Sequence, residues 1–408
     1  MKKSVKTNFI CVICVLTMFF SFPANGQRLN DLFLQAKADM LRKQYADAGQ
    51  KILSIPAGER TSSMYLTLGE SFYLTGNYGE ASRAFATADS LRASPEAMVY
   101  VARAFAMMSQ PAKAAEWLQK YLLQPDKLSE AELTLDSAFA RIEHSKEWKA
   151  LWNREWYNVA EQKAAEAAVL FKRKRYMEAL GIIDSEIANR TSSAQFYVLR
   201  ANLFEALEQF EAAYENAETV IRMRGSVSEY HAVAASLAVR VKKYDAALDH
   251  INRAIRLDPY QLDMYLQRAA ILRMMQRYDA ARNDINFYFA YLPADTNALY
   301  QMGMAETDAG NPWGGIEFFN KLIDNDKSSP EYYMARARAG IKANNYALAS
   351  HDLSQALDLN PSLPDAWYQK GMVLQHENKT EDACYYWRKA LEMGSREAAE
   401  QIYRHCIK

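Results

Sequence analysis

The stretch Tyr244-Asp245-Ala246-Ala247-Leu248-Asp249-His250-Ile251-Asn252-Arg253-Ala254-Ile255-Arg256-Leu257-Asp258-Pro259 decides the fold, because its pattern recurs. Tyr278, Ala281, Ile285, Tyr288 and Pro293 follow 34 places later. The next step of 34 meets Pro312, Gly315, Phe319 and Leu322. Tyr346, Ala349, Leu353, Ala356 and Pro361 keep the register, as do Thr380, Ala383, Trp387 and Ala390. A fixed period in this range is the signature of a solenoid of short helical units. One unit cannot bury its own apolar face, so stacked neighbours make the core.

Each period holds two helices. The first carries a column of its own: His231 with Ala235, Tyr265 with Ala269, Leu299 with Gly303, Tyr333 with Ala337, and Trp367 with Gly371. A bulky residue and a small one four apart share a helix face. The bulky side chain fills the space between helices, and the small one lets the partner helix approach. Ala247, Ala281, Ala349 and Ala383 do the same on the second helix. Asp258-Pro259 and Asn360-Pro361 close two of the units, since proline disfavours helical geometry in the residue before it. The predicted unit is a helical hairpin.

Several columns recurring together resemble the tetratricopeptide repeat. The fullest copy reads Tyr65, Leu68-Gly69, Phe72, Gly76, Tyr78, Ala81, Phe85 and Ala88. The resemblance covers nearly all of the chain after residue 28. It counts about ten repeats: two over 29–93, one over 95–126 and seven over 160–397. It implies an all-α fold, a right-handed superhelix of helical hairpins closed by capping helices. Two repeats depart from the pattern. The one at 160–191 opens with Lys163 rather than an aromatic, and the one at 296–329 has Pro312 and Gly315 where Tyr and Ala are usual.

The first 26 residues read differently. Lys2, Lys3 and Lys6 precede an apolar run from Phe9 to about Phe22, and Ala24-Asn25-Gly26 puts small residues before Gln27. That is the layout of a secretory signal peptide. The run of about 14 apolar residues is shorter than the roughly 20 needed to span a bilayer. Cys11 and Cys14 lack the neighbours of a lipidation site. The expectation is a chain exported through residues 1–26, with no integral membrane segment after cleavage. The periplasm is the first expectation, and a secreted or envelope-associated chain the alternative. Cleavage would leave 46 basic residues against 49 acidic ones. That balance gives no electrostatic footprint for nucleic acid.

The register divides the rest into an array over 27–126, capping or hinge helices over 127–157, a second array over 158–394 and a terminal cap over 395–408. The segment 127–157 leaves the 34-residue cadence. Asp136, Phe139, Trp148 and Leu151 in it resemble the Asp-x-x-Phe turn and Trp-x-x-Leu helix that close runs of such repeats. Cys384 lies about ten residues before the Gly394-Ser395 turn and Cys406 about eleven after it. Antiparallel helices would bring the two sulfurs level. In an oxidising compartment this predicts a disulfide, the alternative being two reduced, partly buried thiols.

No catalytic or metal-binding pattern emerges. No two of His144, His231, His250, His351, His376 and His405 share a helical turn, and no nucleophile elbow or phosphate loop is present. No cofactor is implied, and the chain reads as a non-enzyme whose function lies on a surface. In the family it resembles, the first helix of each hairpin lines a concave groove. Residues rotated about 100° from the packing column should face it. These are Asn202, Arg240, Arg273, Tyr300, Met304, Met334, Arg338, Tyr368 and Met372, with Leu266 and Ser236 beside them. Aromatics, Met and Arg are enriched at interfaces. Some of the same positions could equally pack against the neighbouring repeat. The Lys and Asn pattern of carboxylate-clamp repeats is absent, with Val198, Ala232 and Leu266 at the corresponding slots. The first expectation is therefore an adaptor of the bacterial cell envelope that binds a protein or peptide partner. A periplasmic holding chaperone is the second reading, and a carbohydrate-binding or enzymatic module on the same scaffold the third.

Overall fold

A computed structural model describes residues 24–125, 127–189 and 193–407. The expected targeting segment lies outside them, except for residues 24–26 at the start of the first helix. The described residues form helices and no strands. They fall into two compact units. The first comprises residues up to Gln124 together with Asp136–Trp152, and the second Pro125–Leu135 together with Asn153 onward.

The first unit holds three hairpins: α1 (Ala24–Leu41) with α2 (Tyr45–Leu53), α3 (Ser62–Leu74) with α4 (Tyr78–Leu91), and α5 (Pro95–Met107) with α6 (Pro111–Leu122). Next in the chain come α7 (Glu130–Thr134), which belongs to the second unit, and α8 (Lys146–Trp152), which belongs to the first. Seven hairpins follow in the second unit. They are α9 (Val159–Lys172) with α10 (Tyr176–Ala188), α11 (Ala194–Ala206) with α12 (Phe210–Arg224), and α13 (Ser228–Arg240) with α14 (Tyr244–Leu257). Then come α15 (Leu262–Met274) with α16 (Tyr278–Phe289), α17 (Thr296–Asp308) with α18 (Pro312–Asn325), α19 (Pro330–Lys342) with α20 (Tyr346–Leu359), and α21 (Pro364–His376) with α22 (Thr380–Glu392). The last helix is α23 (Arg396–His405). Ten hairpins match the count from the cadence.

Every hairpin turns the same way. One residue in each tight turn has positive φ, from Lys43 at 62° and Gly76 at 80° to Lys242 at 59° and Asn378 at 62°. The N–H that follows reaches back to the first helix, as Lys243 N does to the Ala238 carbonyl at 2.8 Å. This is the Schellman closure of a helix. Only Gly76 and Gly310 supply glycine at that position.

The two helices of a hairpin meet at a matched pair of residues 16 apart. Gly69 faces Phe85, Gly303 faces Phe319 and Gly371 faces Trp387. A Cβ on those glycines would lie 2.7, 2.7 and 2.5 Å from the facing ring. Where the second helix offers a smaller aliphatic residue, alanine stands at the crossing: Ala235 with Ile251, Ala269 with Ile285, and Ala337 with Leu353, all buried.

In the second unit a second column, at Arg200, Arg268, Arg336 and Lys370, joins four hairpins to the one before. The Arg268 guanidinium donates to Asp284 on its own second helix at 2.6 and 2.7 Å, and to Asn252 on the preceding one at 3.0 Å. Arg336 repeats this with Asp352 at 2.7 and 2.8 Å and Asn320 at 2.7 Å. Arg200 pairs with Asp184 of the preceding helix at 2.8 Å. Lys370 instead donates to Ser354 Oγ at 2.9 Å and Ser350 Oγ at 2.6 Å. In the same column Ala234 has no cation to offer, and His250 Nε2 closes on Glu218 Oε1 at 2.7 Å.

That closure creates a polar cluster that the linear sequence does not show. His250 Nδ1 faces His231 Nδ1 at 3.4 Å, and His231 Nε2 lies 3.1 Å from the Gly225 carbonyl. Donation of the Nε2 proton to that carbonyl leaves Nδ1 as a lone pair. Burial pushes the His231 pKa below its ordinary value, aided by His250 and Arg253 and opposed by the Gly225 bond and Glu218.

In the first unit, Asp136 accepts from Arg103 Nε at 2.7 Å and from Ala138 N at 2.9 Å. Phe139 and Trp148 are buried with ring centroids 5.1 Å apart. Arg141 donates to the Met107 carbonyl at 2.8 Å, so this segment ties down the end of α5. At the C-terminal side of the second unit, Ala398, Ile402 and Cys406 from the α23 segment pack against Ala383, Trp387 and Ala390 of α22. Cys384 and Cys406 are joined by a disulfide across a separation of 22 residues. No described helix is long and apolar enough to cross a membrane.

Three outcomes follow. Gly303→Ala and Gly371→Ala should each lower the urea midpoint by an amount equivalent to about 1–3 kcal/mol from overpacking. Adding Phe319→Leu to Gly303→Ala should recover most of the loss, because it recreates the Ala337–Leu353 pair. A His whose folded pKa lies below its unfolded one loses stability as pH falls below the ordinary imidazole value of about 6.5. Urea titrations at pH 7.5 and 5.5 should therefore show a larger acid loss for wild type than for His231→Tyr. Intact-mass analysis of the exported chain, cleaved of residues 1–26, should show no free thiol in the absence of reductant. Reduction should speed amide exchange in α23, with a stability loss of about 3 kcal/mol for a loop of this length.

Candidate functional site

The first helices of successive hairpins lie side by side in the second unit, and α15, α17 and α19 are joined directly through side chains. Register places Leu266, Tyr300, Met334 and Tyr368 one step beyond the packing column, 34 residues apart. Tyr300 is half-buried, its ring centroid 5.9 Å from Phe319 and 6.4 Å from Tyr332. Met334 is half-buried beside the apolar cluster of Leu353 and Val373. Tyr368 and Met372 are half-buried beside Trp387 and Leu374. These four retain surface on the first-helix face.

Two residues expected there are placed in the core instead. Met304 is 6% exposed, packed with Phe319 of its own hairpin and with Ala335 and Ala339 of α19. Leu266 is 4% exposed. The cause is geometric. A residue rotated past the packing column points towards the next first helix, and small residues such as Ala335 and Ala339 let that helix close over it. Asn202 is half-buried. Arg240 is exposed, its guanidinium 4.1 Å from the Phe210 ring centroid.

Arg273 and Arg338 are drawn together by a residue that the pattern of bulky positions did not single out. Asp308, at the end of α17, accepts from Arg273 Nη1 of α15 at 2.6 Å. Its other oxygen accepts from Arg338 Nη2 and Lys342 Nζ of α19, both at 2.8 Å. Burial alone would raise the Asp308 pKa. Hydrogen bonds from Lys342 and Arg273, with the charges of Arg338 and Lys342, outweigh it and hold the carboxyl below its usual range. The carboxylate therefore stays ionised and pins three consecutive first helices. Arg273 Nε is buried with no hydrogen-bond partner. Burial raises the Tyr300 pKa, opposed by Arg273 and Arg338 and supported by Glu331. The tyrosine and these charges thus share one patch. The available signal was a charge reversal at one period, since Asp308 and Lys342 stand 34 apart.

Among the described residues, no group of three or more His, Cys, Asp or Glu is placed to hold a metal ion. The arrangement at this face offers apolar contact and charge-assisted hydrogen bonding.

A family profile described as tetratricopeptide repeat matches residues 66–130, 198–261 and 334–399. Among solved structures, a tetratricopeptide repeat protein from Parabacteroides merdae is 16% identical with a TM-score of 0.56, covering 61% of this chain and 99% of its own. Human IFIT1, solved as a dimer with m7Gppp-AAAA, is 14% identical at a TM-score of 0.49, covering 92% of this chain and 84% of its own. Yeast Tom70 is 12% identical at a TM-score of 0.42, with 93% and 95% covered. At these identities the first likeness concerns the fold alone, and the other two carry no argument. Proteins of this repeat class commonly mediate protein–protein interaction and are typically non-catalytic scaffolds. The matched segments are tetratricopeptide repeats, and the ten hairpins with their 34-residue register give the described residues the fold of a tetratricopeptide-repeat solenoid.

Proposed function

We propose that the protein is a non-catalytic adaptor of the bacterial cell envelope that binds an extended segment of a partner protein across the first-helix face of α17, α19 and α21. The observation that carries this reading is the row Tyr300, Met334 and Tyr368. These residues stand one period apart, each half-buried, so each keeps a supported but accessible surface. Side chains held by packing lose little rotamer freedom on binding, which favours them as anchors. The Asp308 cluster beside Tyr300 adds polar groups that can fix the orientation of a bound segment. Export is supported by Lys2, Lys3 and Lys6 ahead of the apolar run that ends near Phe22, and by the small residues Ala24 and Gly26. A cysteine pair placed for a disulfide fits the oxidising compartment beyond the inner membrane.

Affinity capture from envelope extract tests this reading. Wild type should retain one stoichiometric partner, and cell fractionation should recover the chain outside the cytoplasm without residues 1–26. Tyr300→Ala, Met334→Ala and Tyr368→Ala combined should weaken capture by more than tenfold while leaving the far-ultraviolet circular dichroism unchanged. Capture that is indifferent to the triple change would refute the assignment of this face.

A further inference from the structure

We propose that this face selects a polypeptide segment by its acidic side chains, with Asp or Glu of the partner pairing with Arg338 and Lys342 beside Asp308. The inference rests on the adaptor reading and specifies the chemistry of its partner.

The charge balance of the patch carries the argument. Three cations, Arg273, Arg338 and Lys342, share the single carboxylate of Asp308. Two positive charges are therefore left over within one cluster. Arg273 and Asp308 are nearly enclosed, at 16% and 11% side-chain exposure, whereas Arg338 and Lys342 keep 44% and 40%. The excess sits on the two side chains that a partner can reach. Arg338 commits Nη2 to Asp308, and Lys342 bonds Asp308 and, at 3.4 Å, the Thr307 carbonyl. An arginine has five N–H donors in a planar fork suited to a carboxylate. Most of the Arg338 fork is left for a ligand.

Asp308 also holds these cations in place before any partner arrives. A cation fixed in advance costs less side-chain entropy on binding than a free surface lysine. Met334 stands one helical turn before Arg338 on α19, and Tyr300 feels the charge of Arg338, so the face fits acidic residues spaced among apolar ones. The first-turn residues Asp263, Glu331 and Asp365 of α15, α19 and α21 are acidic. They place negative charge at the opposite end of these first helices and oppose a continuous polyanion. A short acidic segment of protein is favoured over nucleic acid.

Selection from a cysteine-free library of displayed random dodecapeptides, followed by titration of synthetic, end-blocked winners, tests the proposal. Wild type should enrich Asp and Glu among apolar residues, and the winners should weaken as salt rises. Both R338E/K342E and R338Q/K342Q should bind those peptides at least tenfold more weakly, and R338E/K342E should select basic sequences instead. The two neutral substitutions serve as the control for a fold disturbed by charge reversal. Enrichment of apolar or aromatic sequences without acids would overturn this inference and leave the adaptor reading standing. Equal acidic enrichment on the variants would also overturn it, as would equally tight binding of a dodecamer of deoxythymidylate through the same residues. Failure to enrich any sequence would count against both readings.

Discussion

Everything in this chain depends on how closely the two helices of a hairpin can cross. The distance is set by a pair of residues 16 positions apart, and in nine of the ten hairpins a large residue answers a small one, the exception being Ala201 with Ala217. Glycine answers Phe85, Phe319 and Trp387, while alanine answers Ile251, Ile285 and Leu353. Protein interiors are packed too tightly for either partner to change alone. Once the crossing is fixed, Arg268 and Arg336 can reach a carboxylate on their own second helix and an asparagine on the one before. The crossing inside one hairpin therefore sets the seam to the next.

The seams decide what the first-helix face can offer. Tyr300 and Met304 are four residues apart on α17, yet one keeps surface and the other is core. Met304 meets alanines on α19 and is covered, whereas Tyr300 leans on Tyr332 and retains an edge. Asp308 belongs to the seam as much as to the face, since its carboxylate ties α15 and α19 to α17. The side chains of the proposed binding face are held by the contacts that stack the repeats.

The fold was legible because it repeats. Spacing of 34 identified the hairpins, their crossing residues and the helix faces without any reference to three dimensions. The first-helix face was legible only in part. Helical rotation puts Tyr300, Met334 and Tyr368 at equivalent positions, and each keeps surface, but rotation within one helix carries no information about the size of residues on the next. Met304 and Leu266 were assigned to the surface for that reason. The pairing of His231 with His250 was hidden for a related cause. His231 lies on α13, His250 on α14 and Glu218 on α12, so the contact exists only once three helices stack.

The covalent link between Cys384 and Cys406 has a consequence beyond stability. A terminal helix that packs through Ala398 and Ile402 alone would fray and expose the apolar side of α22. The Gly394–Ser395 turn holds one end of α23 to α22 and the disulfide holds the other, so a loosened α23 cannot leave its own docking surface. Re-docking is then a unimolecular event that outcompetes any second molecule at cellular concentrations.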